Sequence, residues 1–170
     1  NELSIAGVRS VSRRLGGEFE TRGVDSETTV ADIIEQFATD GSFDVIVTVG
    51  FATAEDTIAR ADAYPDIHFI GIDQFQTEER PNLTGIIFRD DHAGFLAGVL
   101  AGTLTETDIV GGVFGPNEVQ PIRAFAAGYE AGVAHANPDA DVIITFHPGT
   151  AAEGFTDLRW GEATAQEQLD

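Results

Sequence analysis

An almost unbroken apolar run at residues 44–50, Asp-Val-Ile-Val-Thr-Val-Gly, constrains the fold of this chain more than any other feature. A strand with one face in water alternates apolar and polar residues, whereas an unbroken run is typical of a strand buried on both faces of a parallel sheet. Similar runs recur at residues 67–72, 83–88, 109–114 and 142–146. Stretches with a helical period separate most of them, and a polar connection at residues 74–81 separates the second run from the third. The sequence therefore predicts an α/β fold built on parallel sheets.

The helical stretches carry their own start and stop signals. Thr29 is followed three residues later by Asp32, the carboxylate variant of a capping box, which predicts that a helix begins here and that Gly41 ends it. A helix in an alternating fold follows a strand, so we expect a strand before residue 1 and more chain after residue 170. Further helices are predicted at residues 1–15, 54–64, 121–136 and 157–170, and a weak strand at residues 19–23.

Residues 82–104 link the two halves of this alternation. The large apolar residues of the helix in this segment recur at i, i+3, i+4 and i+8 and predict one buried face, made of Leu96, Val99, Leu100 and Leu104. The other positions are mostly glycine and alanine, which let a helix lie close to a sheet. We interpret the segment as the hinge side of a two-lobed protein. An N-terminal lobe without its first strand is predicted at residues 1–105, and the incomplete start of a second lobe at residues 106–170.

Acidic residues outnumber basic ones 29 to 9, which gives this 170-residue chain a formal net charge of −20. All the basic residues are arginine. A charge this large destabilises the compact state by self-repulsion unless salt screens it. A disordered acidic chain would lack apolar periodicity, so the composition favours a folded protein with an acidic shell from a halophile. The absence of a basic patch argues against nucleic-acid binding.

Most catalytic and cofactor motifs are absent from the sequence. The absence of cysteine excludes disulfides, thiol nucleophiles and iron–sulfur clusters. The absence of lysine excludes a phosphate loop, and neither a Gly-x-Gly-x-x-Gly nor a Gly-x-Ser-x-Gly motif occurs. The four histidines lack metal-ligand spacing and are interpreted as surface or strand-end residues. We therefore expect no cofactor, no metal ion and the capture of a solute rather than its conversion.

Open parallel sheets bind ligands outside the carboxyl ends of their strands, and this rule singles out three residues by position. Gly50 and Phe51 follow the first apolar run, and Asp73 follows the second. Asp73 could accept hydrogen bonds from ligand hydroxyl or N–H groups, or it could be a solvated helix N-cap or loop carboxylate. Phe155 could be a core aromatic or a stacking platform at the mouth of a cleft. Asn82-Leu83-Thr84 matches the glycosylation pattern, although a strand start is the simpler interpretation.

Five stretches of the chain carry longer motifs. The most specific is Pro121-Ile-Arg-Ala-Phe-Ala-Ala-Gly-Tyr-Glu-Ala-Gly-Val-Ala-His-Ala-Asn-Pro138, which Gly154-Phe-Thr-Asp157 follows along the chain. Residues 44–51, residues 63–73 and residues 82–98 precede it. In this order the motifs resemble the basic membrane protein (BMP) family, the purine-nucleoside-receptor-like lipoproteins of ABC transporters.

The resemblance implies a periplasmic-binding-protein type I-like fold, in which two three-layer α/β lobes joined by a hinge close on a nucleoside. In the family, two aromatic rings sandwich the base, while carboxylates and amides hold the ribose and the base edge. By resemblance, Asp73 is the strand-end aspartate, Phe155 is the second ring, and Asn1 ends the motif that carries the first ring. Two departures from the family pattern, His92-Ala93-Gly94 and Gly115-Pro116, leave the base preference open.

The resemblance also implies a function. The protein would be an extracellular, lipid-anchored receptor that captures a nucleoside, of the purine class, and delivers it to the permease of an ABC importer. The lipid anchor would lie outside these residues. A receptor for a sugar or another small polar solute, or a sensor of the same fold, is the main alternative. A nucleoside-cleaving enzyme is a further one, and it would require clustered carboxylates that bind a metal or activate water.

Overall fold

A computed structural model describes residues 2–24 and 28–169, and it confirms the alternation of parallel strands and helices. The chain divides into two compact units, Asn1–Phe88 and Arg89–Asp170. The two lobes predicted at residues 1–105 and 106–170 stay a prediction. Within this chain, the helix that precedes residue 105 is part of the second compact unit.

The first unit is built on a three-stranded parallel sheet in the order β1-β2-β3. In the register of the sheet, Val49 lies opposite Ile72 and Ile72 lies opposite Ile86, so the carboxyl ends of the strands are level. A 3-10 turn, Phe51–Thr53, follows β1. The elements of this unit are α1 (Glu2–Leu15), α2 (Val30–Asp40), β1 (Val45–Val49), α3 (Ala54–Ala63), β2 (His68–Ile72) and β3 (Leu83–Ile86).

Both ends of α2 form as the sequence predicts. The Thr29 side chain accepts from the Asp32 amide and the Asp32 carboxylate accepts from the Thr29 amide, which completes the capping box. Gly41 ends the helix with φ of 78°, a left-handed conformation that glycine adopts without a steric penalty. The apolar face of α2 packs into the core of the unit, whose buried residues are Ile34, Ala38, Ile46, Ala61, Phe69 and Leu83.

The weak strand predicted at residues 19–23 is wrong, because these residues have no strand structure. Residues of this segment are held by side-chain contacts. The Arg9 guanidinium lies over the Phe19 ring at 5.3 Å, and Arg22 donates to Gln36 at 2.8 Å. A strand requires a neighbour that completes its backbone ladder, and the described part of this unit offers no such pairing to this segment.

The second unit contains a pair of parallel strands between helices. Tyr129 on α5 donates its hydroxyl to the Gly111 carbonyl at 2.9 Å, and Gln168 on α7 donates to the Thr145 hydroxyl at 2.9 Å. The two helices cover opposite faces, because a Cβ on Gly111 would point at Gln168 of α7, while a Cβ on Gly112 would point at the Phe114 ring, whose centroid lies 6.2 Å from that of Tyr129 on α5. The elements are α4 (Asp90–Leu104), β4 (Ile109–Pro116), α5 (Gln120–Ala136), β5 (Asp141–His147), α6 (Ala151–Gly154) and α7 (Leu158–Leu169).

The buried face of α4 differs from the predicted one. Its buried residues are Gly94, Gly98 and Gly102, whereas Leu96, Leu100 and Leu104 are each at least 60% exposed. The glycines face α5 and not a sheet, and Gly128 and Gly132 of α5 face α4 in return. A helix–helix contact made by backbones excludes side chains, so the glycines occupy it and the leucines lie outside it.

Candidate functional site

The carboxyl edge of the first sheet brings three of the predicted site residues together. The Gly50 amide donates to the Ile72 carbonyl at 2.9 Å, and the Asp73 amide donates to the Ile86 carbonyl at 2.7 Å. Gly50 and Asp73 therefore continue adjacent parallel strands by one residue at the same edge. Phe51 follows Gly50 as the first residue of the 3-10 turn and is 36% exposed.

Asp73 has an uncommon backbone conformation. Its φ is 62°, in the left-handed region, and among the described residues Asp108 is the other non-glycine residue with a positive φ. Aspartate tolerates this region better than most residues, but the conformation still costs free energy, and such outliers cluster at functional sites. Residues 74–82 contain no helix, so Asp73 is a loop carboxylate and not a helix N-cap.

A buried glutamine, Gln74, directly follows Asp73 at this edge, and no sequence motif indicates it. Gln74 is fully buried, and its Nε2 lies 2.7 Å from the Thr53 hydroxyl, 2.9 Å from the Thr48 hydroxyl and 3.3 Å from the Gly50 carbonyl. An amide nitrogen carries two hydrogens, so the two shorter contacts are the principal bonds. These two bonds join Gln74 to Thr48 in β1 and to Thr53 in the loop that begins at Gly50.

The aromatic candidate of the second unit lies at the carboxyl end of the β4–β5 pair. Phe155 directly follows the short helix α6 and is 51% exposed, so its ring is not part of the buried core. A Cβ added to Gly115 would lie 4.0 Å from the ring, at ordinary contact distance. The structure thus brings Phe155 beside Gly115-Pro116, one of the two positions at which the sequence departs from the family pattern.

The segment that carries Phe155 is fixed by a second capping box. The Glu153 carboxylate accepts from the Thr150 amide and hydroxyl, both at 2.9 Å. These bonds lower the pKa of Glu153 below its ordinary value of 4.5, with the backbone amide as the main cause. The sequence showed this Thr-x-x-Glu spacing, but α6 is only four residues long and no helix was predicted there.

His147 is a second buried polar residue at a strand end. It is 7% exposed, so it is a strand-end residue as predicted but not a surface residue. Its Nδ1 accepts from the Gly149 amide at 3.0 Å, its Nε2 lies 3.6 Å from the Asp157 carboxylate, and its ring meets the Trp160 ring edge-on at 4.6 Å. The Trp160 amide, more than His147, lowers the pKa of Asp157. His147 thus joins β5 to both ends of the Phe155 segment.

The lowered pKa of Glu153 predicts how the Phe155 segment responds to acid. A carboxyl with a depressed pKa stabilises the fold above its ordinary pKa of 4.5, and this stabilisation is lost as the pH falls through the lower folded value. We expect the amide proton shift of Thr150, followed by NMR, to titrate with a midpoint below 4.5. Glu153→Gln should abolish the titration, and a midpoint at or above 4.5 in the parent protein would contradict the capping geometry.

The remaining predictions concern groups outside these two edges. Asn1 lies outside the described residues. In the described ranges, 2–24 and 28–169, no group of three or more histidine, aspartate or glutamate side chains is arranged to hold a metal ion. No helix in these ranges is both long enough and apolar enough to cross a membrane.

Three curated relatives share the sequence pattern over most of this chain. An uncharacterized lipoprotein of Pyrococcus abyssi is 31% identical over 132 residues, 76% of this chain and 32% of the relative. Basic membrane protein A of Borreliella burgdorferi is 29% identical over 97% of this chain and 47% of its own length. The ABC transporter nucleoside-binding protein BmpA of Lactococcus lactis is 27% identical over 86% of this chain and 39% of its own length. The chain thus spans from about a third to just under a half of the length of these relatives.

Solved structures agree with the fold class. A solute-binding protein of an ABC transporter system from Conexibacter woesei matches with a TM-score of 0.63 and 29% identity, over 97% of this chain and 54% of that one. A second one, from Aeropyrum pernix, matches with a TM-score of 0.72 and 25% identity, over 99% of this chain and 47% of that one. Both are solute-binding proteins, and they confirm the periplasmic-binding-protein type I-like fold. The family described as "ABC transporter substrate-binding protein PnrA-like" matches residues 1–170. The chain therefore belongs to this Bmp family of ABC transporter substrate-binding proteins.

Proposed function

We propose that the protein is an extracellular receptor that captures a nucleoside, of the purine class, and delivers it to the permease of an ABC importer. The observation that carries the proposal is the carboxylate of Asp73, held in a left-handed conformation beside Gly50 at the carboxyl edge of a parallel sheet. Ligands of open α/β sheets bind at this edge. The nucleoside-binding relative from Lactococcus lactis supports the ligand class.

The chemistry of the candidate residues suits a nucleoside. An ionised carboxylate accepts hydrogen bonds from ribose hydroxyls or ring N–H groups, and these charge-assisted bonds are stronger than neutral ones. The half-exposed ring of Phe155 offers a flat apolar surface on which a planar base stacks. Asp73 is the proposed ribose contact and Phe155 is the proposed stacking ring, and Gly50, Phe51 and Asn1 are proposed as further ligand contacts.

The setting of the receptor is part of the proposal. Relatives from Pyrococcus are named lipoproteins, and we extend the lipid anchor and the cell-surface location to this protein, with the anchor outside these residues. The formal charge of −20 supports a high-salt environment, because salt screens the repulsion between surface carboxylates. Capture without conversion agrees with a family of substrate-binding proteins.

Asp73→Asn in the full-length protein tests the role of the carboxylate. Asparagine tolerates the left-handed conformation, so the variant removes the charge and leaves the backbone in place. We expect the Kd for a purine nucleoside to rise about 10- to 100-fold, the size of one hydrogen bond to a charged group. Phe155→Ala should also weaken binding, through the loss of base stacking. Titration calorimetry measures both.

Asp108→Asn is the matched control for the aspartate. Asp108 shares the positive φ, at 57°, but it lies just before β4, at the amino end of its strand. Its substitution should leave the Kd unchanged. If Asp73→Asn binds as tightly as the parent protein, or if Asp108→Asn weakens binding equally, Asp73 does not contact the ligand.

A further inference from the structure

Gln74 connects two loops of the first unit, a connection that the rule about strand ends does not predict. Its side chain is fully buried directly after the candidate ligand residue Asp73. Burial of an amide without hydrogen bonds costs free energy. The hydrogen-bond partners of the buried Gln74 amide therefore show which parts of the chain it connects. Its Nε2 bonds to the hydroxyl of Thr48 in β1 and to the hydroxyl of Thr53, the last residue of the 3-10 turn. One amide group thus connects the loop after β2 to the loop after β1.

Room for this amide is provided by Gly71, a residue of β2. A Cβ on Gly71 would lie closer than 3.0 Å to the Oε1 and Cδ atoms of Gln74, a separation that real Cβ atoms essentially never show. The amide therefore occupies the space that a side chain at position 71 would fill. Its Oε1 has no hydrogen-bond partner within the described ranges. Its Nε2 lies within hydrogen-bond distance of Thr53, the last residue of the turn.

The turn also contains hydrogen bonds of its own. The Thr53 amide and hydroxyl both bond to the Gly50 carbonyl, at 3.1 Å and 2.9 Å, which are bonds within the turn itself. Gly50 has φ of 104°, a conformation that residues with a side chain rarely adopt. The Gly50 amide bond to Ile72 joins the start of this loop to β2, and the Gln74 amide joins the loop to the residues that follow β2.

We propose that Gln74 is a positioning residue of the ligand site, which fixes the turn Phe51–Thr53 relative to Asp73 before a ligand arrives. This inference rests on the proposed function. Because the amide acts through the turn and lies buried behind it, Gln74 affects affinity without contacting the ligand. A site that is ordered in advance loses less conformational entropy on binding, so its ligand binds more tightly.

Gln74→Met in the full-length protein is the direct test. Methionine fills a similar volume and removes the donors. The hydroxyls left behind keep partners, because Thr48 still bonds to Thr57 at 2.8 Å and Thr53 still donates to Gly50, so the variant should fold. We expect a Kd for a purine nucleoside about tenfold or more above that of the parent, the effect of about one hydrogen bond. In the ligand-free protein, the Gly50 and Thr53 amides should exchange with deuterium about tenfold faster or more.

Gln76→Met is the matched control. Gln76 lies two residues further along the same connection, and neither its Nε2 nor its Oε1 has a hydrogen-bond partner among the described residues. Its substitution should leave both the Kd and the exchange rates of Gly50 and Thr53 unchanged. A general loosening of the connection would instead raise the exchange rates in both variants and would overturn a specific role for Gln74.

A pair of substitutions at Thr53 keeps the test decisive if Gln74→Met fails to fold. Thr53→Val removes the hydroxyl that accepts from Gln74 and donates to the Gly50 carbonyl, and Thr53→Ser retains both bonds. The valine variant should show the faster exchange and the raised Kd, and the serine variant should restore both. Equal behaviour of the valine and serine variants would overturn the inference.

The two readouts separate this inference from the proposed function. If the parent protein binds a nucleoside and Gln74→Met binds it equally well, the positioning role is wrong and the receptor stands. If the parent protein binds no nucleoside, the proposed function is wrong. The exchange rates of Gly50 and Thr53 then decide alone whether Gln74 orders the turn.

Discussion

Replacing Gly98 with alanine is expected to destabilise the second unit by on the order of 3 kcal/mol. A Cβ at this position would lie closer than 3.0 Å to the backbone of both Tyr129 and Val133 on α5. Backbone atoms cannot rotate away as a flexible side chain would, so α4 and α5 would have to separate. Separation would weaken the whole contact between the two helices, in which Gly94 and Gly132 make equally close approaches. Chemical denaturation followed by far-ultraviolet circular dichroism measures the loss.

Gly161→Ala provides the matched comparison on α7. Nothing lies within 4 Å of a Cβ at Gly161, so the added methyl group meets open space. Alanine favours a helix over glycine by up to about 1 kcal/mol, and this substitution should therefore stabilise the protein. If Gly98→Ala proves as stable as Gly161→Ala, the close packing of α4 on α5 is wrong.

Lowering the salt concentration is expected to destabilise the protein, because its negative charges then repel one another. The formal net charge is −20, and at about 0.01 M salt the Debye length is roughly 30 Å, so carboxylates repel one another across the surface. At about 1 M it is roughly 3 Å and the repulsion is screened. We expect several kcal/mol of additional stability in molar salt, which corresponds to about 10 °C or more in Tm. Calorimetric melting at a series of KCl concentrations measures this.

Sucrose is the control for the effect of salt. It stabilises compact states because it is excluded from the protein surface, but it does not screen charge. Molar sucrose at low salt should therefore restore only a small part of the stability. A Tm that changes little between low and molar KCl would show that the acidic shell does not limit stability, and the proposed high-salt environment would lose its physical support.

The sequence predicts the strands and most helix ends of this chain well, because each depends on local chemistry. Strands buried in a parallel sheet must be apolar on both faces, which is why residues 44–50 and 67–72 are recognisable. The capping box at Thr29 and the glycine at position 41 act within a few residues of the chain. The weak strand at residues 19–23 is wrong because strand formation depends on a neighbour that periodicity does not describe.

The buried face of α4 shows a second limit. An apolar stripe normally marks the side of a helix that faces the core. In α4 the leucines lie outside the contact, because glycines on both α4 and α5 let the two backbones meet. The composition of one helix does not reveal this, since close approach requires small residues on both partners. Glycine spacing at every fourth residue was visible in both segments and is the signal that predicts it.

Some residues of the candidate site can be predicted from the sequence and others cannot. Asp73 and Gly50 follow from a positional rule about strand ends, and the structure brings them to one edge. Gln74 and His147 do not follow from it, because their burial depends on how the adjacent loops fold back over the strand ends. The role of Phe155 as a stacking ring stays a prediction.

Calorimetric titration of the full-length protein in molar salt with guanosine, inosine, adenosine, cytidine and ribose tests the proposed function most directly. We predict that a purine nucleoside binds with a micromolar or lower Kd, that ribose alone binds far more weakly, and that the nucleoside is recovered unchanged. Heat from a sugar with none from any nucleoside would keep the fold and contradict the ligand. Release of free base and ribose would contradict a receptor.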